Sequence, residues 1–260
     1  MLILLSPAKT IDVDRTPSVA TDRQPRWLER SSELADALRP LSVTQLKALM
    51  KVSEKLAELN RGRWADWERP IPSAGSAPAV FAFRGDVYRG LDADGWTPAQ
   101  IRYADEHLRI LSGLHGVLRP LDRILPYRLE MGTKLSSDAV AGLDAKTLYD
   151  FWDGTIAHSL VDDLTRTKSR YVLNLASKEY SDAAKLKDVP VEVVSPTFEE
   201  VKNGKPKMVT LFAKVARGTM ASWVIRNKVR TPRKLRTFAE DGYRLDDDRS
   251  TDTRPVFVRG

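Results

Sequence analysis

LSGLHGVLRPLDRILPYRLEM, residues 111–131, holds two glycines, two prolines, three arginines and a single glutamate. Pro120 and Pro126 lack a backbone N–H and fix φ, so no helix runs through the segment. Its leucines follow neither a clean helical nor a clean strand period. A rigid, elaborated loop is expected, in which proline-fixed turns hold Arg119, Tyr127, Arg128 and Glu130 in place. An arginine fork suits phosphate oxygens bidentately, and Glu130 can orient one of those guanidiniums. An internal Arg–Glu network without a ligand is the competing reading of the same residues.

Outward from this loop the two periods interleave. TPAQIRYADEHLRILSGL (97–114) is predicted as one helix, with Thr97 as N-cap and Pro98 at its first position. LILLS (2–6) is a buried strand ending in a Ser-Pro turn, and residues 12–26 are expected to be loop. Residues 27–67 are rich in helix formers and PIPSAGSAP (70–78) breaks the run, so a helical insertion is expected over 27–75. AVFAFRGDVYRGL (79–91) is expected to open as a strand and turn at Gly85 and Asp86. LYDFWDGTIAHSLVDDL (148–164) is predicted as an amphipathic helix and SRYVLNLAS (169–177) as a core strand. VEVVSPTFEEVKNGKPKMVTLFAK (191–214) offers two strand-like runs joined across Asn203-Gly204. A helix near 215–228 and a short final strand at 256–258 follow. Strands and helices alternate without regular βα order. The expectation is one mixed α/β (α+β) domain over residues 1–260, with a mixed sheet and the helical insertion.

The 260-residue chain has 42% apolar and 30% charged residues, ordinary for a soluble globular protein. No apolar run is long enough for a membrane helix, and MLILLSPAKT is not expected to be a secretory leader, because it lacks a basic start and meets Pro7 and Lys9 at once. A cytoplasmic protein is expected. Zero cysteines exclude a disulfide framework, a thiol nucleophile and a cysteine-ligated metal. The charge is asymmetric. Lys202 to Arg236 contains eleven basic residues and no Asp or Glu, leaving 31 basic against 35 acidic residues elsewhere. Such a block is the mark of a polyanion contact or of a plainly solvated face.

The common catalytic signatures are missing: no phosphate loop, dinucleotide fingerprint, G-x-S-x-G or H-E-x-x-H. His107, His115 and His158 are scattered, so no metal site and no cofactor are expected. LKALMKVSEKLAELN (46–60) approximates a helix-hairpin-helix DNA module, with Leu46, Leu49, Val52 and Ala57 near the apolar positions. Lys51 and Ser53 stand where such a hairpin usually has glycines. Ser53 can cap the second helix, whose free N–H groups suit a phosphate, and Lys55, Arg61 and Arg63 add charge. An ordinary αα-hairpin is the alternative. In KVARGTMASWVIRNK (214–228), Lys214, Arg217, Ala221 and Lys228 share one helical face, a cationic stripe opposite a packed side.

SPAKT (6–10), FRGDVY (83–88), LSGLHGVLRPLD (111–122), PYRLEMG (126–132), NLASKEY (174–180) and FAKVARG (212–218) resemble the bacterial YaaA-type peroxide-stress proteins, in their order and spacing along nearly the whole chain. The resemblance implies an unusual mixed fold with a positively charged cleft, a helix-hairpin-helix element and DNA binding. It also implies survival of hydrogen peroxide, linked to lowered free intracellular iron and less oxidative DNA damage. Carried over position by position, its polar residues are Lys9, Arg84, Asp86, Tyr88, Arg119, Tyr127, Arg128, Glu130, Asn174, Ser177, Tyr180, Lys214 and Arg217. His115 departs from the tyrosine expected there, which makes it a poor candidate for an essential group.

Two functions compete. The first is a monomeric DNA-binding stress protein, engaging duplex, damaged or branched DNA largely without sequence specificity through Lys51, Ser53, Lys55, Arg119, Arg128, Lys214, Arg217 and Lys228. The second is an enzyme on a nucleotide, nucleobase or phosphorylated small molecule, with Lys9 as nucleophile or base and Glu130 as proton carrier. Its pocket would be lined by Arg84, Asp86, Tyr88, Tyr127, Asn174, Ser177 and Tyr180. The second demands that Lys9 and Glu130 converge.

Overall fold

The computed structural model describes all residues except 15–18, 20, 136–139, 141 and 203. In chain order the elements begin with strands β1 (Leu2–Leu5) and β2 (Thr10–Ile11) and helices α1 (Leu28–Leu38), α2 (Val43–Met50) and α3 (Glu54–Asp66). Next come β3 (Ala77–Pro78), α4 (Ala79–Ala82), β4 (Phe83–Arg84), α5 (Asp86–Leu91), α6 (Pro98–His107), β5 (Leu108–Ser112), β6 (Gly116–Leu118) and β7 (Arg123–Ile124). Helices α7 (Leu148–Trp152) and α8 (Thr155–Thr167), β8 (Tyr171–Asn174), α9 (Lys178–Ala183), β9 (Glu192–Val194), β10 (Thr197–Lys202) and β11 (Lys205–Lys207) follow. The chain closes with α10 (Thr210–Asn227), α11 (Pro232–Leu235), β12 (Arg244–Leu245) and β13 (Val256–Arg259).

β1 is the centre of the molecule. Its four residues are all buried, and a strand that is apolar at every position belongs in a parallel sheet covered on both faces. It lies between β5 and β8 in a five-stranded sheet of order β6-β5-β1-β8-β9. The pairings β5–β1, β1–β8 and β8–β9 are parallel, and only the edge strand β6 is antiparallel. Helices α8 and α10 both pack on β1. A second sheet, β11-β10-β13-β12, lies against α10, and two short ladders pair β2 with β4 and β3 with β7. This is the expected mixed α/β architecture. A single apolar cluster runs from Met1 to Phe257. No helix among the described residues is long and apolar enough to cross a membrane.

Several elements depart from the predicted ones. The helix opened by Thr97 has the predicted N-cap, with Gln100 completing a capping box, yet ends at His107. The apolar run after it becomes β5, because Leu108 and Ile110 pair with β1, Leu111 pairs with β6, and all three are buried completely. A short apolar run serves either period, and tertiary pairing decides. Residues 79–82 are a helical turn, not a strand: the Ala79 and Val80 N–H groups donate to Asp122 and Pro120 carbonyls in the 111–131 loop. The 148–164 helix is two helices, broken at Asp153, whose φ is 38°. In 191–214 the hairpin joins β10 to β11 through Lys202 and Lys205, whereas β9 belongs to the other sheet. Asn203 of the predicted turn lies outside the described residues.

Residues 27–75 hold α1, α2 and α3. Ser42 and Ser53 cap α2 and α3, each accepting from the backbone N–H three residues on. Lys51 ends α2 in the left-handed region, with φ 51°. A lysine therefore does the conformational task that glycine usually performs at a helix C-terminus.

Candidate functional site

The chain leaves β1 toward β5 on one side and returns to β8 on the other, so strand order reverses at β1. Crevices outside the carboxyl ends of strands at such a reversal are the usual ligand sites of parallel sheets. A cavity of about 460 Å³ lies there. The turns after β1, β4 and β8 supply its walls: Ser6 to Thr10, Gly85 to Tyr88, and Leu175 with Ser177, Glu179 and Tyr180. The proline-braced loop contributes Tyr127 to Glu130, and α10 contributes Lys214 and Arg217.

Of the candidate pocket residues, Lys9, Arg84, Asp86, Tyr88, Tyr127, Glu130, Ser177 and Tyr180 all line this cavity. Asn174 does not; its amide accepts from the Ala176 N–H and donates to Ser195 Oγ, holding the turn after β8. Lys9 Nζ is 2.8 Å from Glu130 Oε2, and Arg128 Nη2 donates to Glu130 Oε1 at 2.9 Å. The required convergence of Lys9 and Glu130 is present, with Glu130 shared between two cations. Arg84 lies between Asp12 and Asp94 at 3.7 and 3.6 Å. Its Nη2 and the Nε of Arg128 are buried with no hydrogen-bond partner. Buried donors without partners are costly and point to an absent acceptor.

The remaining wall is apolar ring surface with fixed hydroxyls. Tyr88 donates to the Ser6 carbonyl at 3.1 Å, and the Tyr127 and Ser112 hydroxyls are 2.6 Å apart. Burial pushes the hydroxyls of Tyr88 and Tyr180 well above the phenol range, so all of them stay neutral and act as hydrogen-bonding surface. The Ser177 N–H donates to Ser6 Oγ at 2.8 Å, joining the turns after β1 and β8.

A second hollow of about 620 Å³ continues from the first, sharing Lys9, Arg128, Glu130 and Glu179 and adding Lys51 and Lys134. The tip of the α2–α3 hairpin therefore borders the same trough. Arg63 of α3 is partly buried and feels the positive charge of Arg128. Lys214 and Arg217, on the far wall, make no ion pair or hydrogen bond among the described residues. Their placement follows from two glycines. A Cβ on Gly218 would lie 1.8 Å from the Val87 carbonyl oxygen, and one on Gly90 would lie 2.1 Å from that of Val215. Helices α5 and α10 touch backbone to backbone, which sets Lys214 and Arg217 over the turn at Asp86.

Other expected contacts lie elsewhere. Ser53 and Lys55 are exposed at the start of α3. Arg119 is committed internally: its Nε is 2.9 Å from Asp122 Oδ1 and its Nη2 donates to the Gln24 carbonyl. Lys228, the C-cap of α10, stands about 21 Å along the helix from Lys214 at 1.5 Å per residue. The basic block thus does not form one face. Arg226 and Arg236 pair with Glu240 and with Asp247 and Asp252, and Arg230 lies at the opposite edge of the main sheet. Ser6 and Glu179 are wall residues that the sequence reading passed over, although both sit inside its quoted blocks. Glu179 accepts from the Gly132 N–H at 2.8 Å. Among the described residues no group of three or more histidine or acidic side chains is placed to hold a metal ion.

Fold and site together define a mixed α/β protein with a trough of charged side chains at the carboxyl edge of its parallel strands. The chain belongs to the family described as peroxide stress protein YaaA, whose model matches residues 1–249. It is 44% identical over 259 residues to a UPF0246 protein of Shewanella baltica (strain OS155 / ATCC BAA-1091), covering 100% of this chain and 99% of the relative. A UPF0246 protein of Ralstonia pickettii (strain 12J) is similar to the same degree and extent. One from Aliivibrio fischeri (strain MJ11) is 42% identical, covering 100% of this chain and 98% of its own.

Proposed function

We propose that this peroxide-stress family member binds DNA by laying a phosphate backbone along the trough between α10 and the α2–α3 hairpin. The observation that carries the reading is the pairing state of the cations. Among the described residues Lys214 and Arg217 have no acidic partner, and they face the same trough as Lys9, Lys51 and Arg128, where buried guanidinium N–H groups also lack acceptors. Nothing in this arrangement reads a base edge, so the contact is to phosphates and is largely independent of sequence. Protection against peroxide then comes from shielding DNA or engaging its damaged forms. A salt-titrated mobility shift on duplex, forked and mismatched DNA tests the reading. Lys214→Glu with Arg217→Glu is expected to abolish the shift; binding that survives this double charge reversal overturns it.

The convergence of Lys9 and Glu130 favours a second reading, an enzyme on a nucleotide or other phosphorylated molecule. Paired as a cation, Lys9 would be an electrostatic group and Glu130 the base. Glu130→Gln separates the readings. On the DNA reading it releases two cations from their carboxylate and strengthens binding, with a log–log salt slope steeper by about one unit. On the enzymatic reading it abolishes turnover of the phosphorylated substrate.

A further inference from the structure

We propose that the cavity at the amino edge of the five-stranded sheet is a second anion site, built to hold a phosphate group and independent of the trough. The cavity, about 550 Å³, lies where α6 hands over to β5, where α8 ends, and where β8 begins. Arg166, Lys168, Arg170 and Arg230 line it against one carboxylate, Glu106. Arg166 is partly committed, donating to Asp163 Oδ1 at 3.2 Å. Lys168, Arg170 and Arg230 form no ion pair with a carboxylate among the described residues, and all three are exposed. Four cations closing on a concave space with a single counter-charge raise the local concentration of anions.

A solvated basic rim would look similar were it not for His107. This residue is 8% exposed and lines the cavity, and its Nδ1 is buried without a hydrogen-bond partner. Its ring lies 4.4 Å from that of Tyr103, tilted at 38°, and its Nε2 is 3.9 Å from Glu106 Oε2. A buried ring nitrogen without a partner, on a side chain that lines this space, marks a place for a hydrogen-bonding ligand; the arginines supply the charge and bidentate geometry. Burial, together with nearby positive charge from the Met1 amino group, Arg230, Arg109 and Arg166, holds the His107 ring near pKa 4. It is therefore neutral at ordinary pH, with one ring nitrogen a donor and the other an acceptor. The shared chemistry of the ligand is a phosphate group, from a small phosphorylated molecule or from a nucleic-acid backbone.

The test follows the ring resonances of His107 by NMR in the full chain, titrated with inorganic pyrophosphate and separately with a short DNA duplex. Pyrophosphate is expected to shift His107 saturably. Arg170→Ala with Arg230→Ala, both exposed and so compatible with the fold, is expected to weaken that titration by about tenfold or more. The trough variant carrying glutamates at 214 and 217 is expected to leave it unchanged, which keeps this site distinct from DNA binding in the trough. A His107 shift by pyrophosphate alone assigns the site to a small molecule; one by the duplex as well assigns it to a backbone. A His107 signal that neither ligand moves, or a titration indifferent to the loss of Arg170 and Arg230, overturns the proposal.

Discussion

The imidazole of His115 is fully enclosed, with Nδ1 2.8 Å from Ser31 Oγ, Nε2 unpaired, and the Tyr127 ring edge-on at 5.3 Å. Burial depresses its pKa from 6.5 to about 3. The sign follows directly. Between these values the unfolded chain holds a proton on this ring that the folded chain does not, so acid favours unfolding. Stability is undiminished above about pH 6.5 and falls as pH drops toward 3, by about 1.4 kcal/mol per pH unit for this one proton. His115→Phe keeps a ring beside Tyr127 and removes the titration. Urea midpoints taken across that window are expected to slope less steeply in the variant. An equal slope in both proteins would place the acid sensitivity on other groups.

At the scale of elements, the contact between α5 and α10 is the most demanding in the molecule. Gly218→Ala puts a methyl into the space of the Val87 carbonyl, and the helices must separate. Overpacking of this kind costs about 1–3 kcal/mol, and the melting temperature is expected to fall by about 2–4 °C per kcal/mol. DNA affinity should drop with it, because Lys214 and Arg217 ride on the displaced helix. Gly62→Ala in α3, with nothing within 4 Å of the new methyl, is the control and is expected to stabilise slightly. The same scale explains what the sequence hid. Ser53 and Thr97 announced their helices because capping is local chemistry. The end of α6 at His107 and the turn at Ala79 depend on partners far along the chain, β1 and the 111–131 loop, and no local pattern contains them.

For the molecule as a whole, the trough was legible because the chemistry of each motif is carried at the end of a strand. Lys9, Arg84 and Ser177 follow β1, lie on β4 and follow β8, and the sheet brings those ends together. Charge placement was less legible. Lys202 to Arg236 reads as one cationic block, but α10 is long enough to carry Lys214 to one edge of the sheet and Arg230 to the other. Four or five trough cations give an expected log–log salt slope of about −4 for duplex binding, well below what the whole block would produce. A measured slope near −10 would return the contact to the entire block. The touching backbones of α5 and α10 have one more consequence. Those two helices can only move as a rigid jaw, whereas α2 and α3 pack chiefly on each other. Any widening of the mouth to admit a thicker strand is therefore expected at the hairpin tip, on the side where Lys51 stands.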